Sequence, residues 1–242
     1  MIIRQLNMVE GKEALGRLPE GKLLIDTINA HSFVTAQKDE EFAKALLEAD
    51  ALIPDGISVV KAAKLLGMKN APKEKIAGAD LFEYEMKTLN LRGGRCFFMG
   101  SSESILEKIR KRAATEYPNI EIGTYSPPYK PVFSEEDNKL IINAINSFNP
   151  DLLWIGMTAP KQEKWLRDNW SALDIHCHAG AIGAVFDFFA GTVQRAPEKW
   201  QKAGLEWLYR FIKEPRRMWR RNLISNPLFV WLVLKEKLGL RR

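Results

Sequence analysis

Asn149-Pro-Asp-Leu-Leu-Trp-Ile-Gly-Met-Thr-Ala-Pro-Lys-Gln-Glu163 is the stretch that decides the fold. Asn149-Pro150 stops the helical pattern before it, because proline cannot extend a helix and restricts the residue it follows. Leu152–Ile155 is a short unbroken apolar run, the mark of a strand covered on both faces. Gly156 to Gln162 then combine small residues with polar ones where the next helix begins. Helix, buried strand, small-residue turn, helix is the unit of a parallel α/β sheet. Outward from it the unit recurs, with expected strands at Leu23–Thr27, Ala51–Ile53, Arg95–Met99, Glu121–Thr124 and Asp174–Ala179. Between them Phe42, Ala45, Leu46 and Ala49 make one apolar helix face, and Ile141, Ala144, Ile145 and Phe148 make another. Ser134 with Asp137 predicts a capping box, and Gly67 a stop for a helix over Ile57–Leu66. Composition shifts once, near Arg195-Ala-Pro, after which the pattern is helical only. The expectation is a Rossmann-like parallel sheet flanked by helices over residues 1–195, followed by a basic helical C-terminal appendage over 196–242.

A chain of 242 residues with 46% apolar side chains can bury a full core. Its two cysteines, Cys96 and Cys177, are far apart and have neither metal-ligand nor redox spacing, which fits a reducing compartment. No basic-then-apolar leader opens the chain, and the longest apolar run, Leu228 to Leu234, is too short to span a bilayer, so a cytoplasmic, non-spanning protein is expected. Charge is unevenly distributed. Residues 210–242 hold a net of +8, more than the +6 of the whole chain, so residues 1–209 sum to −2. Trp219, Phe229, Trp231 and several leucines are interleaved with those cations. Cations beside aromatic and aliphatic side chains suit the surface of an anionic membrane. The same charge could meet nucleic acid, or the helix could pack on its own domain; the interleaved aromatics favour the membrane, and no nucleic-acid partner is expected.

In an open parallel sheet, ligands bind beyond the carboxyl ends of the strands. Four segments there combine small residues with a polar side chain: Thr27-Ile-Asn29, Pro54-Asp55-Gly56, Gly156 to Gln162, and Gly180-Ala-Ile-Gly183 running on to Asp187. Singly, Asp55 reads as a turn residue, Asp187 as a helix-face charge and Gln162 as a solvated amide. Together they are harder to dismiss, because the fold itself needs no polar residue at that edge.

Several chemistries lose their support. There is no G-x-G-x-x-G and no G-x-x-x-x-G-K-[ST], the signatures of dinucleotide and P-loop sites. Gly100-Ser101-Ser102 offers a helix N-terminus where phosphate could sit, though a simple cap is the plainer role. No Asp-x-Asp occurs to chelate a metal, and His176 and His178, expected on one side of a strand, lack a third ligand. Neither a metal nor another cofactor is expected. What remains is a domain with a carboxylate and phosphate-friendly turns, able to transfer a sugar while protein cations stabilise the leaving diphosphate.

At these same residues the sequence resembles the WecG/TagA/CpsF glycosyltransferases. The resemblance runs from about Leu24 to about Arg221. It rests on Thr27-Ile-Asn29, Ala36-Gln-Lys-Asp, Ile53-Pro-Asp-Gly, Ala77-Gly-Ala-Asp-Leu, Ala159-Pro-Lys-Gln-Glu-Lys-Trp, Phe186-Asp-Phe-Phe-Ala-Gly, Gln194-Arg-Ala-Pro and Gly204-Leu-Glu-Trp-Leu-Tyr-Arg with Glu214-Pro following.

The resemblance implies a metal-independent, inverting enzyme that moves a sugar from a UDP-sugar to a polyprenyl diphosphate-linked sugar in cell-envelope polysaccharide synthesis, on the inner face of the cytoplasmic membrane. It casts Asp55 as the general base, and Thr27, Asn29, Gln162 and Asp187 as pocket residues, with Gly56 and Gly180 in the same turns. Arg210, Arg217 and Arg220 match family arginines that close over the diphosphate. Ile28, His31 and Ser58 depart from the family pattern, and Lys75 stands where some members carry arginine. These departures alter the pocket wall, so the sugar is not carried over; N-acetylmannosamine, its uronic acid and neutral hexoses stay open. Self-association is compatible with an apolar, membrane-facing tail. The rival readings are a Rossmann-type oxidoreductase or methyltransferase, and a non-catalytic basic protein that binds membrane or nucleic acid.

Overall fold

A computed structural model describes residues 1–197, 199–200 and 206–240, without the side chains of Arg210, Arg217, Arg220 and Asn222. Six strands form one sheet: β1 (Leu23–Ile28), β2 (Ala51–Pro54), β3 (Gly94–Gly100), β4 (Ile120–Tyr125), β5 (Leu152–Gly156) and β6 (His178–Ala181). All pairings are parallel, and the order is β2-β1-β6-β5-β3-β4. The helices are α1 (Ala30–Ala36), α2 (Glu40–Glu48), α3 (Ile57–Leu65), α4 (Gly78–Arg92), α5 (Glu103–Glu116), α6 (Glu135–Phe148), α7 (Lys161–Asn169), α8 (Gly183–Phe189), α9 (Glu206–Lys213), α10 (Pro215–Trp219) and α11 (Asn226–Lys237). A π-helical segment, Arg220–Ser225, joins α10 to α11.

Successive strand side chains point to opposite faces, so each strand feeds two cores. Leu24, Ile28, Leu153 and Ile155 join α1, α2, α3, α6, α7 and α11 on one face. Leu23, Ile25, Leu152 and Trp154 join α4, α5 and α8 on the other. Burial on both faces explains why β2 and β5 are apolar throughout rather than alternating.

The end signals act as the sequence predicts at α6: the Ser134 hydroxyl accepts the Asp137 N–H, the Asp137 carboxylate accepts the Ser134 N–H, and Asn149 closes the helix in the left-handed region. Ser102 is the first residue before α5 but its side chain makes no capping bond. The sixth strand differs from expectation, running His178–Ala181 instead of Asp174–Ala179. Its first residue is opposite Leu23 of β1 and Leu152 of β5, so residues 174–177 precede the start of both neighbours and have no ladder to join. Gly180 therefore lies inside the strand, where a Cβ would run into the Trp154 ring.

At the C-terminus, Phe229, Leu232 and Val233 of α11 are buried in the first core. Phe229 meets Phe33 of α1 edge to face at 5.4 Å, and Glu236 accepts the backbone N–H groups of Ile3 and Arg4. Phe229, expected at a membrane surface, instead closes the core. Its neighbours Val230, Trp231 and Leu234 face outward.

Candidate active site

The sheet order brings together the segments expected to carry chemistry. β2, β1, β6 and β5 are consecutive, so the turns leaving them share one stretch of the carboxyl edge. β3 continues it, with Ser101 and Ser126 joined where β3 and β4 end, through the Ser126 hydroxyl and the Ser101 carbonyl.

At the β2 exit, the Asp55 N–H donates to the carbonyls of Ile28 (2.9 Å) and Ile53 (2.8 Å). The turn bearing this carboxylate is thus tied to the end of β1. Thr27 sits half-buried at that end, and Asn29 caps α1. The cap uses Asn29 Oδ1, which accepts the N–H groups of His31 and Ser32, while the Ser32 hydroxyl accepts the Asn29 N–H. Asn29 Nδ2 is left for other hydrogen bonds. Gly56 begins α3 beside the Asn29 side chain. The Ile76 N–H donates to the Pro54 carbonyl at 3.1 Å, which brings Lys75 to the same exit.

Across β1, the turns after β5 and β6 are joined by Gln162. Its Oε1 accepts the N–H groups of Met157 and Gly183, each at 3.2 Å, and its Nε2 donates to Glu163 Oε1 at 2.9 Å. Gly183 must be glycine, because a Cβ would collide with the Met157 carbonyl. Asp187 lies half-buried one turn into α8, and its carbonyl accepts the N–H groups of Thr192 and Val193.

Charged side chains tie the C-terminal helices to this edge. Glu206, which opens α9, lies 3.5 Å from Lys75 and 3.4 Å from Arg195. Arg195 also lies 3.6 Å from Asp80, and Asp80 3.3 Å from Lys12. Arg210 follows Glu206 by one turn of α9; the side chains of Arg210, Arg217 and Arg220 lie outside the described residues. His31 Nδ1 meets the Ser225 hydroxyl at 2.8 Å, a second tie from α1 to the C-terminal segment. Burial, then the Arg221 charge, lower the His31 pKa.

The histidines near β6 do not form a metal site. His176 is exposed ahead of the strand, whereas His178 is held between Glu85 Oε1 (2.9 Å) and the Pro19 carbonyl (2.8 Å). Burial alone would lower the His178 pKa, but hydrogen bonding and the Glu85 charge together raise it.

The model of the glycosyl transferase WecG/TagA/CpsF family matches residues 3–242. The chain belongs to this family. Among its relatives, an N-acetylglucosaminyldiphosphoundecaprenol N-acetyl-beta-D-mannosaminyltransferase of Bacillus subtilis is 33% identical over 88% of this chain and 80% of its own length. A protein of the same name from Bacillus spizizenii is 32% identical over 88% of this chain and 79% of its own. Membership makes the chain a glycosyltransferase and sets aside the oxidoreductase, methyltransferase and non-catalytic readings.

Within this WecG/TagA/CpsF chain, the motif residues Asp80, Arg195 and Glu206 form the tie between the sheet edge and α9. In the sequence these three carry no sign of a role beyond being charges that stand in separate motifs. Asp26 and Glu163 were also missed. Asp26 stands in an apolar strand, a placement that already marks a buried charge.

Proposed function

We propose that this enzyme transfers an N-acetylmannosamine-like sugar or another hexose from a UDP-sugar to a sugar on a polyprenyl diphosphate carrier, for cell-envelope polysaccharide. The observation that carries this reading is the meeting of the Asp55 turn with the β1 exit, beside the turns after β6 and β5. The relatives' names supply the substrate class, an N-acetylglucosaminyl diphosphate lipid that receives an N-acetylmannosaminyl group.

The mechanism is a single displacement with inversion and without a metal. Asp55 takes the proton of the acceptor hydroxyl as its oxygen bonds to the anomeric carbon; the bond from that carbon to the diphosphate breaks, and UDP leaves with the electron pair. Arg210, Arg217 and Arg220 stabilise the leaving diphosphate, with Lys75 as a further cation; the tie between Glu206 and Lys75 at the start of α9 supports this reading. Thr27, Asn29, Gly56 and Asp187 shape the donor and acceptor pocket, and Gln162 belongs to its wall; Gly180, expected in the same turn, lies inside β6 and makes room for the Trp154 ring instead.

Residues 1–195 act as the catalytic domain and 196–242 as the part that meets the membrane. Two features support the membrane role. α11 is apolar on both sides: one side packs on α1, while Trp231 and Leu234 are about half exposed, at 50% and 47%, beyond what its own domain covers. In the same C-terminal segment Trp219, Leu223, Ile224 and Leu238 are also exposed, Lys235 lies over the Trp231 ring at 3.7 Å, and Lys237 follows the exposed Leu234 by one turn. Cations beside interfacial aromatics suit anionic headgroups on the cytoplasmic face. Among the described residues no helix is long and apolar enough to cross a membrane.

Incubation with UDP-N-acetylmannosamine and a soluble N-acetylglucosaminyl diphosphate lipid analogue tests the reading. Acceptor-dependent UDP release is expected. No release with this or any other UDP-hexose would overturn it.

A further inference from the structure

Asp26 lies in the middle of β1, on the face covered by α1, α2, α7 and α11, and is fully buried. Neither of its carboxyl oxygens has a hydrogen-bond partner among the described residues. Glu163 of α7 faces the same core at 2% exposure and interacts electrostatically with Asp26. Its Oε1 accepts from Gln162 and its Oε2 has no hydrogen-bond partner among the described residues.

Two carboxylates cannot both ionise in such a place without a cation, and among the described residues no hydrogen bond or ion pair to Asp26 repays the burial. Among the described residues the surrounding charges are engaged elsewhere, beginning with Lys161 at the start of α7, which donates to the Lys130 carbonyl and lies over the Phe133 ring. On α7, Lys164 pairs with Asp39 at 2.5 Å, and Arg167 pairs with Glu41 and Asp168. On α2, Lys44 pairs with Glu41. His31 of α1 meets Ser225, and Glu236 of α11 accepts backbone N–H groups. Burial foremost, with Glu163 beside it, pushes Asp26 well above the usual carboxyl range, and burial pushes Glu163 up to about 7.

Gln162 stands in front of this pair, 5% exposed. Two backbone N–H groups point at one end of its amide, so that end must be the oxygen, and the nitrogen must face Glu163. We propose that Gln162 is a positioning residue, held by Glu163 and Asp26 as a buried carboxyl pair that keeps a proton, and that this array sets the turns after β5 and β6 as one wall of the site. The turnover readout rests on the function proposed above; the protonation readout does not.

The test compares full-length wild type with Asp26→Asn/Glu163→Gln, which keeps both shapes and the acceptor for Gln162 but cannot titrate. In the unfolded chain both carboxyls ionise near pH 4. The folded protein thus holds more protons between that pH and about 7, and stability falls as pH rises through this window. Wild type should lose thermal stability from pH 5 to 8, by about 3–5 °C per tenfold change in the folding constant. The double variant should lose only the smaller part that belongs to His178 with Glu85. A protonated-carboxyl infrared band in wild type at pH 5, lost at alkaline pH, reads the same proton without any variant. An unchanged pH slope in the double variant, or no such band in wild type, would overturn the retained proton. For the wall, Glu163→Leu should lower kcat about tenfold, the cost of about one lost hydrogen bond to a charged or polar group, with Glu163→Gln restoring it. Wild-type turnover by Glu163→Leu beside a large loss in Gln162→Ala would make Gln162 a direct substrate ligand instead. If wild type itself releases no UDP, the stability and infrared arms still decide the array.

Discussion

Asp55, Gln162 and His178 show how far a side chain's role follows from its neighbours. Asp55 is a turn residue after a strand, as its flanking proline and glycine suggest, and a backbone bond ties its turn to β1. Gln162 was legible as a polar residue after β5, but its burial was not, because nothing local announces that two N–H groups from separate turns converge on one amide. His178 is no ligand; it is a hydrogen-bonded partner of Glu85. Its pKa is raised on folding, so its stabilisation is complete below the unfolded value of about 6.5 and is lost as pH rises through the folded one. Glu85→Gln should therefore reduce thermal stability at pH 5.5 more than at pH 8.5, measured by calorimetry; an equal loss at both values would contradict a change in the charge of His178 over that range.

Helix α11 illustrates what element-level patterning hides. Its cations and aromatics were read as one membrane-facing segment, yet Phe229, Leu232 and Val233 point inward and Val230, Trp231 and Leu234 outward. An apolar sequence on both sides of a helix cannot say which side meets protein. The two sides should separate by mutation. Phe229→Ala removes a ring packed on Phe33 and should cost about 3–5 kcal/mol in denaturant unfolding, as buried aromatic truncations do. Trp231→Ser should leave stability nearly unchanged and weaken binding to anionic vesicles several-fold in a sedimentation assay; vesicle binding equal to wild type would remove α11 from the membrane contact. The strands were more legible than the helices of the C-terminus, since five of six lie within a residue or so of their expected ends. The sixth slipped because strand limits are set by neighbours, here Leu23 and Leu152, which a single run of sequence cannot reveal.

At the scale of the whole molecule, the βα alternation made the fold class readable, while the order β2-β1-β6-β5-β3-β4 was not, since it depends on which strands meet. That order is what turns four weak turn signals into one edge. The tie through Glu206, Arg195, Lys75 and Asp80 then brings the arginine-bearing helix α9 to the same edge. The proposed mechanism relies on protein cations in place of an Asp-x-Asp-bound metal, a motif absent from the sequence. UDP release should accordingly persist in excess chelator, and loss of turnover restored by magnesium would contradict a metal-free mechanism. The most direct test of the account is acceptor-dependent UDP release by Asp55→Asn beside wild type, with UDP binding measured on both. The amide keeps the shape of the side chain but cannot take the proton, so turnover should fall about 100- to 10,000-fold while UDP binds as before; near-normal turnover would contradict the assignment of Asp55 as the base.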